Sequence, residues 1–525
     1  MSRFLLLSDD GSGIGLALRL LAEGHDVRTW IKDPGSDEFG HGIIKNAESY
    51  EFCQNIIADS TNFGALLDAF RDCGAKTFGG SVFADKLEAD RSFASQVMRE
   101  ADIDTPESIS VTGWDEAVKA IKKIARLSDK IVIKPEGGLS GVVPSQIADD
   151  VDEGLSIIEI LRTQNEVQNI KLTIQEYIDG IAVSTEGWFN GEEWIEGMFN
   201  HTLEKKATQN GDLGPTCGCA GNVVWRCEAS DIVVKQSLLK LTESLREQRY
   251  TGPFDINCVV NKKGIYGLEF TPRFGYDAFP TLLYSLFDDD FGAFICSSLL
   301  SLQTDTSLRD GFGAGVRLML PKDSPSARIS FGSDLASFYP HGIMQDEDFF
   351  SVAKADHLGV VSKHGDTIGE AFARCYDICS RVKIKDLSYR TDLAQALLED
   401  YRKLDEIFTG NDGGWYGVDL DGTLADYSDW SDEIGDPLPV SIQRVRRQLS
   451  EGKEVRVFTA RGTIDGDEDS KHEQVIKIYE WIKKHVGVPL EVQHNKDPKM
   501  IRLDDDRVRQ VDPKDGSLIH GVHSD

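Results

Sequence analysis

Residues 3–31 read "RFLLLSDDGSGIGLALRLLAEGHDVRTWI". A short apolar run is followed by a glycine turn, a helical period and a second strand. A strand, helix and strand in that order close as a right-handed parallel unit, so the chain opens as an α/β domain. Gly24 is placed to cap the helix at its C-terminus. Glycines 11, 13 and 15 lie in the turn. A dinucleotide fingerprint would require glycine at 16, where the chain has Leu16. The glycines are therefore expected to serve loop–helix packing, or to leave room for a phosphate at the helix N-terminus, rather than to bind NAD.

The remaining length is too great for one core. At 525 residues, with ~150 per domain, three or four domains are expected. The 57 Lys and Arg against 88 Asp and Glu give a formal net charge of −31, which disfavours nucleic acid or an anionic membrane as a general partner. No run approaches the ~20 apolar residues of a membrane span, and the N-terminus lacks the apolar region of a signal peptide. Nine scattered cysteines without zinc spacing are expected to be reduced thiols of a cytoplasmic protein.

Along the chain, 90–127 is expected to be largely helical, and 130–143 to form strand, glycine-rich loop and strand. Segments 172–180 and 183–199 alternate like antiparallel strands with an Asn-Gly turn. Residues 231–248 are patterned as an amphipathic helix, 252–275 as a hairpin with a Lys-Gly turn. "FTGNDGG" (408–414) is linker-like, and a separate α/β unit starts at Trp415. The domains are set at 1–85, 86–300, 301–408 and 413–525.

Three features in the first 410 residues carry chemistry. Lys134 ends a β-branched strand ahead of a glycine-rich loop, as a phosphate-binding cation would. "GDLGPTCGCAG" (211–221) is so rich in small residues that its backbone is expected to approach a ligand or move as a flap. In "LEFTPRFG", Glu269 and Arg273 follow a hairpin bearing Asp255 and Asn257, a set able to hold Mg²⁺ and phosphoryl oxygens.

With "GGSVFADKLEADRSFASQVMREADIDTP" (79–106), "IVIKPEGGLSG", "LTIQEYIDGIAVS" and "HLGVVSKHGDTIGEAFARCYDICSRVKIKDLSYRTDLA" (357–394), these stretches resemble, in collinear order, an ATP-grasp ligase of the glycinamide ribonucleotide synthetase (phosphoribosylamine–glycine ligase) type. The resemblance implies ATP and Mg²⁺ as cofactors and small-molecule carboxylate and amine substrates, one of them phosphorylated. It implies that Lys134 binds ATP phosphates, that Gln175, Glu176 and Tyr177 form the adenine hinge, that Glu269 ligates Mg²⁺, and that Arg273 contacts the phosphates or an acyl phosphate. Two departures stand out. Thr271 replaces the family's Asn two residues past the metal Glu, which leaves Asp255 or Asn257 to complete the site. The N-terminal signatures serving phosphoribosylamine are replaced by "DDGSGIGLALRL" and "IADSTNFG", so a different substrate is expected.

In "GVDLDGTLADY" (417–427), Asp419 and Asp421 lie two apart at a strand end and project to one side. One carboxylate can attack phosphorus while the other protonates the leaving group. With Thr459 in "EVRVFTAR", Lys496 in "HNKDPKM" and Asp505 and Asp506 in "IRLDDDRVRQV", the segment resembles haloacid dehalogenase (HAD) phosphatases without a large cap. The resemblance implies Asp419 as nucleophile and metal ligand and Asp421 as general acid/base. Thr459 and Lys496 would be phosphoryl ligands, and Asp505 with Asp506 would complete the Mg²⁺ site. The expected fold is a βαβ domain, an ATP-grasp fold, a C-terminal subdomain and a Rossmann-like HAD domain. The expected function is a ligase fused to a phosphatase. The alternatives are glycinamide ribonucleotide synthetase with an incidental HAD domain, and a nucleotide-binding scaffold whose ligase half is degenerate.

Overall fold

A computed structural model describes the chain apart from residues 34–38, 43, 48–53, 136–144, 165–169, 303–305, 322–327, 330–336, 347–348, 353–356, 411–413, 428–432, 463–467 and 508–525. The glycine-rich loop after Lys134, part of the linker and part of the insert at 462–473 lie outside the described residues.

The opening unit folds as its pattern predicts. Arg3–Ser8 is a strand buried from Phe4 onward, Ile14–Ala22 a helix and Asp26–Ile31 the next strand. They belong to a five-stranded parallel sheet in which Arg3–Ser8 lies between Asp26–Ile31 and Asn55–Ala58. The turn glycines serve packing. A Cβ on Gly13 would meet an Asp59 carboxylate oxygen at 2.5 Å, and one on Gly15 the Tyr339 ring at 2.5 Å. The Asp59 carboxylate lies beside the helix N-terminus, against Gly13.

A second, four-stranded antiparallel sheet orders Ser108–Thr112, Lys171–Glu176, Ile131–Pro135 and Gln146–Ala148. Ser108–Thr112 corrects the helical expectation for 90–127: helices Arg91–Glu100 and Trp114–Ile124 flank a strand. Its Ser-Ile-Ser-Val-Thr alternation is short and half exposed, a weak signal between two strong helical periods.

The central body is an eight-stranded sheet. Its order is Gly264–Thr271, Thr251–Asn261, Ile181–Asn190, Phe199–Gln209, Leu213–Cys227, Phe312–Met319, His357–Gly365 and Phe338–Pro340. Residues 171–176 and 181–190 belong to different sheets. The small-residue stretch 211–221, expected to approach a ligand or move as a flap, is mostly strand, the return limb of a hairpin with Phe199–Gln209, and its Gly218 lines the cavity that holds Asp255 and Glu269. Segment 231–248 is a broken helix, with α-turns at Ile232–Gln236 and Thr242–Glu247 joined by a 3₁₀ turn.

From Trp415 the chain forms a four-stranded sheet, ordered Val492–Gln493, Glu454–Phe458, Trp415–Asp419 and Met500–Asp504, with every pair parallel. Helices Pro439–Ser450 and Glu468–Val486 accompany it, and Val418, Val457 and Ile482 are in its core. The unit packs on helix Ile368–Arg381, where half-buried Glu491 takes a hydrogen bond from Tyr479 Oη at 3.3 Å and lies 3.5 Å from the Gly369 amide. Among the described residues, no helix is long and apolar enough to cross a membrane.

Candidate active site

Four antiparallel strands of the central sheet build a polar floor. Their register sets Thr271 opposite Asp255, Asp255 opposite Glu186 and Glu186 opposite Asn200. The neighbouring row is Glu269, Asn257, Ser184 and Thr202. Residues directly opposite one another share a face, so two rows of polar side chains lie side by side. Hydrogen bonds knit them together. Asn257 Nδ2 donates to Asp255 Oδ1 at 3.2 Å and to Thr271 Oγ1 at 3.3 Å. Asn200 Nδ2 donates to Glu186 Oε1 at 3.1 Å, and Ser184 Oγ donates to Asp255.

Burial decides the electrostatics of this floor. It pushes Glu186 up to about 7 and Asp255 well above the usual carboxylate range, with Glu186 and Glu204 adding to the rise at Asp255. Crowded, dehydrated carboxylates with an amide oxygen among them suit a hard divalent cation, which would relieve their mutual repulsion. Glu269, Asp255 and Asn257, named from the sequence, are here brought together. Glu186 and Glu204 were not named. They are legible only once the register is known.

Lys134 lies on the adjoining cleft, a cavity of about 220 Å³ shared with Arg91, Thr173 and Gln175. Burial lowers its ammonium to about 8, against the pull of Glu269, while Arg91 and Lys206 lower it further. These three cations converge where triphosphate oxygens could be held. Gln175 lines the cleft. Glu176 and Tyr177 are not among its lining residues: the Glu176 carboxylate accepts the Glu107 amide at 2.8 Å, and the Tyr177 ring lies 5.7 Å from Lys130 Nζ. Successive strand residues face opposite sides, so Gln175 and Glu176 cannot both face the cleft. Arg273 reaches the floor with its Nη2 3.0 Å from Glu88 Oε1 and its guanidinium 4.1 Å from the Tyr276 ring centre.

In the C-terminal unit, Asp419 ends the central strand. Its carboxylate and those of Asp505 and Asp506 place one oxygen each within 4.8 Å of one another. Burial, then Asp505 and Asp421, push Asp419 up to about 7. Gly422 has φ +86°, and a Cβ there would meet an Asp506 oxygen at 2.6 Å, so the turn after Asp421 must be glycine. Thr459 is buried at the next strand's end, where its hydroxyl accepts the Arg461 amide at 3.1 Å. Arg461, not singled out from the sequence, is 2% exposed and grips Asp421. Lys496 lies past the edge strand, on a cavity between the two halves. The three-carboxylate cluster suits Mg²⁺ by the same argument as the floor.

Residues 89–278 match the family described as "Phosphoribosylglycinamide synthetase, ATP-grasp (A) domain". This part of the chain is an ATP-grasp domain. Its cofactors are ATP and Mg²⁺. The chain is 24% identical over 382 residues to the phosphoribosylamine–glycine ligase of Clostridium acetobutylicum, covering 67% of this chain and 88% of that protein. Against the Streptococcus pneumoniae enzyme of the same name it is 22% identical over 436 residues, covering 76% of this chain and the whole of that one. Among solved structures, the phosphoribosylamine–glycine ligase of Thermotoga maritima superposes with a TM-score of 0.59 at 18% identity, covering 74% of this chain and 99% of that one. The Campylobacter jejuni biotin carboxylase superposes at 0.52 and 14%, covering 77% and 97%. These likenesses show an ATP-grasp ligase architecture over about three-quarters of the chain. None of these proteins is named as a phosphatase, so the HAD expectation for the last unit rests on its own geometry.

Proposed function

We propose that the chain is an ATP-dependent ligase that activates a carboxylate as an acyl phosphate and passes the acyl group to an amine. The observation that carries this reading is that Lys134, beside Arg91 in its cleft, is coupled both to Glu269 and to Lys206, which line the carboxylate floor with Asp255. ATP supplies the phosphoryl group, and Mg²⁺ neutralises its oxygens when bound. The amine nitrogen forms a bond to the acyl carbon as the carbon–oxygen bond to phosphate breaks. The electron pair leaves with phosphate, and the amine gives up a proton. Lys134 and Arg273 hold phosphoryl oxygens, while Glu269, Asp255 and Asn257 offer oxygen ligands.

Of the named reactions, the comparisons support phosphoribosylamine–glycine ligation, the alternative stated from the sequence, better than a fused ligase and phosphatase. ADP release with phosphoribosylamine and glycine, set beside other amine–carboxylate pairs, tests it. ATP turnover with no pair at all would refute the ligase reading.

A phosphatase role for 415–506 is a second reading, favoured by the Asp419, Asp505 and Asp506 cluster at the carboxyl ends of a parallel sheet. Here Asp419 attacks phosphorus as the bond to the leaving oxygen breaks and Asp421 protonates that oxygen; water then cleaves the aspartyl phosphate, releasing phosphate and freeing Asp419, while Thr459 and Lys496 hold phosphoryl oxygens. Hydrolysis of p-nitrophenyl phosphate by the full chain, abolished by EDTA, is the expected result.

A further inference from the structure

Arg390 is 1% exposed, and burying a guanidinium is costly unless its donors are matched. Its nitrogens reach three separate segments. Nε and Nη2 donate to Asp392 Oδ1 and Oδ2, each at 2.8 Å. Nη1 donates to Asp212 Oδ1 at 2.7 Å and to the Ala207 carbonyl at 3.1 Å. Asp212 is at the tip of the small-residue hairpin, and Ala207 is near the end of its outgoing strand. Further bonds join the same two places. Asn210 Nδ2 donates to Thr391 Oγ1 at 2.8 Å, the Thr391 amide to Asn210 Oδ1 at 3.1 Å, and the Gly211 amide to Asp392 Oδ2 at 2.7 Å.

We propose that Arg390 is a positioning residue of the ligase site: it clamps the hairpin so that Lys206 stands over the carboxylate floor, where its ammonium meets the phosphates of bound ATP. The inference rests on the ligase reading.

The hairpin's own ladder does not fix this lysine. Lys205 pairs with Gly221, but Ala207 pairs with Thr216, so residues 217–220 bulge opposite Lys206. A bulge interrupts the ladder and bends the strand, which leaves the far end of the hairpin weakly tied to the sheet. The tip, residues 210–214, is exposed, so apolar burial contributes little to holding it. The clamp supplies the missing constraint. Its bond to the Ala207 carbonyl acts one residue from Lys206, and Lys206 and Gly218 of the bulge line the cavity that holds Asp255 and Glu269. Gly221, at the base of the bulge, lies on the same loop: a Cβ there would meet Leu393 Cδ1 at 2.2 Å. Only a planar fork can reach Asp392, Asp212 and a carbonyl together; the point charge of a lysine cannot.

Calorimetric titration of the full chain with Mg²⁺ and the non-hydrolysable analogue AMP-PNP tests the proposal. Asp212→Ala takes one partner from the clamp at a half-exposed position, while Asp392 still pairs with Arg390 and Asp400 still pairs with Lys205 at 2.7 Å. The melting temperature is therefore expected to stay close to the wild type's. AMP-PNP binding is expected to weaken about tenfold, the contribution of one charged hydrogen bond to phosphate. Removing a negative charge beside a polyanion would by itself tighten binding, so weakening marks lost positioning. In a Lys206→Ala background the same substitution is expected to add little, because it acts through that lysine. Undiminished or tighter binding in Asp212→Ala, or an equal further loss in the Lys206→Ala background, would overturn the proposal. A wild type that does not bind AMP-PNP would instead refute the ligase reading, and this inference with it.

Discussion

Arg461 holds Asp421 from two nitrogens, Nε at 2.7 Å from Oδ2 and Nη2 at 2.8 Å from Oδ1. Both partners are largely buried, and the pair fixes the carboxylate two residues from Asp419. Proton donation by Asp421 therefore requires the guanidinium to release at least one oxygen.

Breaking this pair from one side should be costly. Arg461→Met leaves Asp421 without its cation, and the loss expected for an uncompensated buried charge is about 3–5 kcal/mol. Urea unfolding should show it as a lower midpoint. Asp421→Asn in the Arg461→Met background should restore part of the loss, because the orphaned charge is then gone.

Phosphate-ester hydrolysis should divide the two aspartates. Asp419→Asn is expected to abolish it, since an amide is no nucleophile. Asp421→Asn is expected to slow it by roughly 10²–10⁴-fold, the range for a lost general acid. Hydrolysis surviving in Asp419→Asn would remove the phosphatase reading.

Stability should depend on pH through Asp59. Burial raises its carboxyl from the ordinary 3.8 to about 7. Raised folded affinity for the proton means stability that is present below pH 4 and lost as pH rises through 7. Three units correspond to roughly 4 kcal/mol as an order of magnitude. Asp59→Asn lacks this loss, so its melting temperature should exceed the wild type's by a margin that grows from pH 5 to pH 8. A constant margin would show that Asp59 is not buried as a charge.

The opening βαβ unit, the hairpin at 251–271 and the parallel unit after Trp415 were legible because their periods are long and their turns are marked by glycine. The metal-floor candidates were also legible, since Asp255, Asn257 and Glu269 lie on one hairpin. Glu186 and Glu204 were not: they reach the floor from other strands, and only pairing register brings them there. Arg461 looked like any arginine after a strand, because its partner is forty residues away. Asp59 was hidden for a similar reason. Its burial depends on Gly13, Ser8 and the far side of a sheet, none of which a local window shows.

The central claim is that Lys134 and Glu269 form one ATP site. Its most direct measurement is ADP release by the full chain with an accepted amine–carboxylate pair, comparing wild type with Lys134→Ala and Glu269→Ala. The account predicts that each substitution abolishes ADP release while leaving phosphate-ester hydrolysis by the C-terminal unit unchanged. Full ADP release in both variants would contradict it.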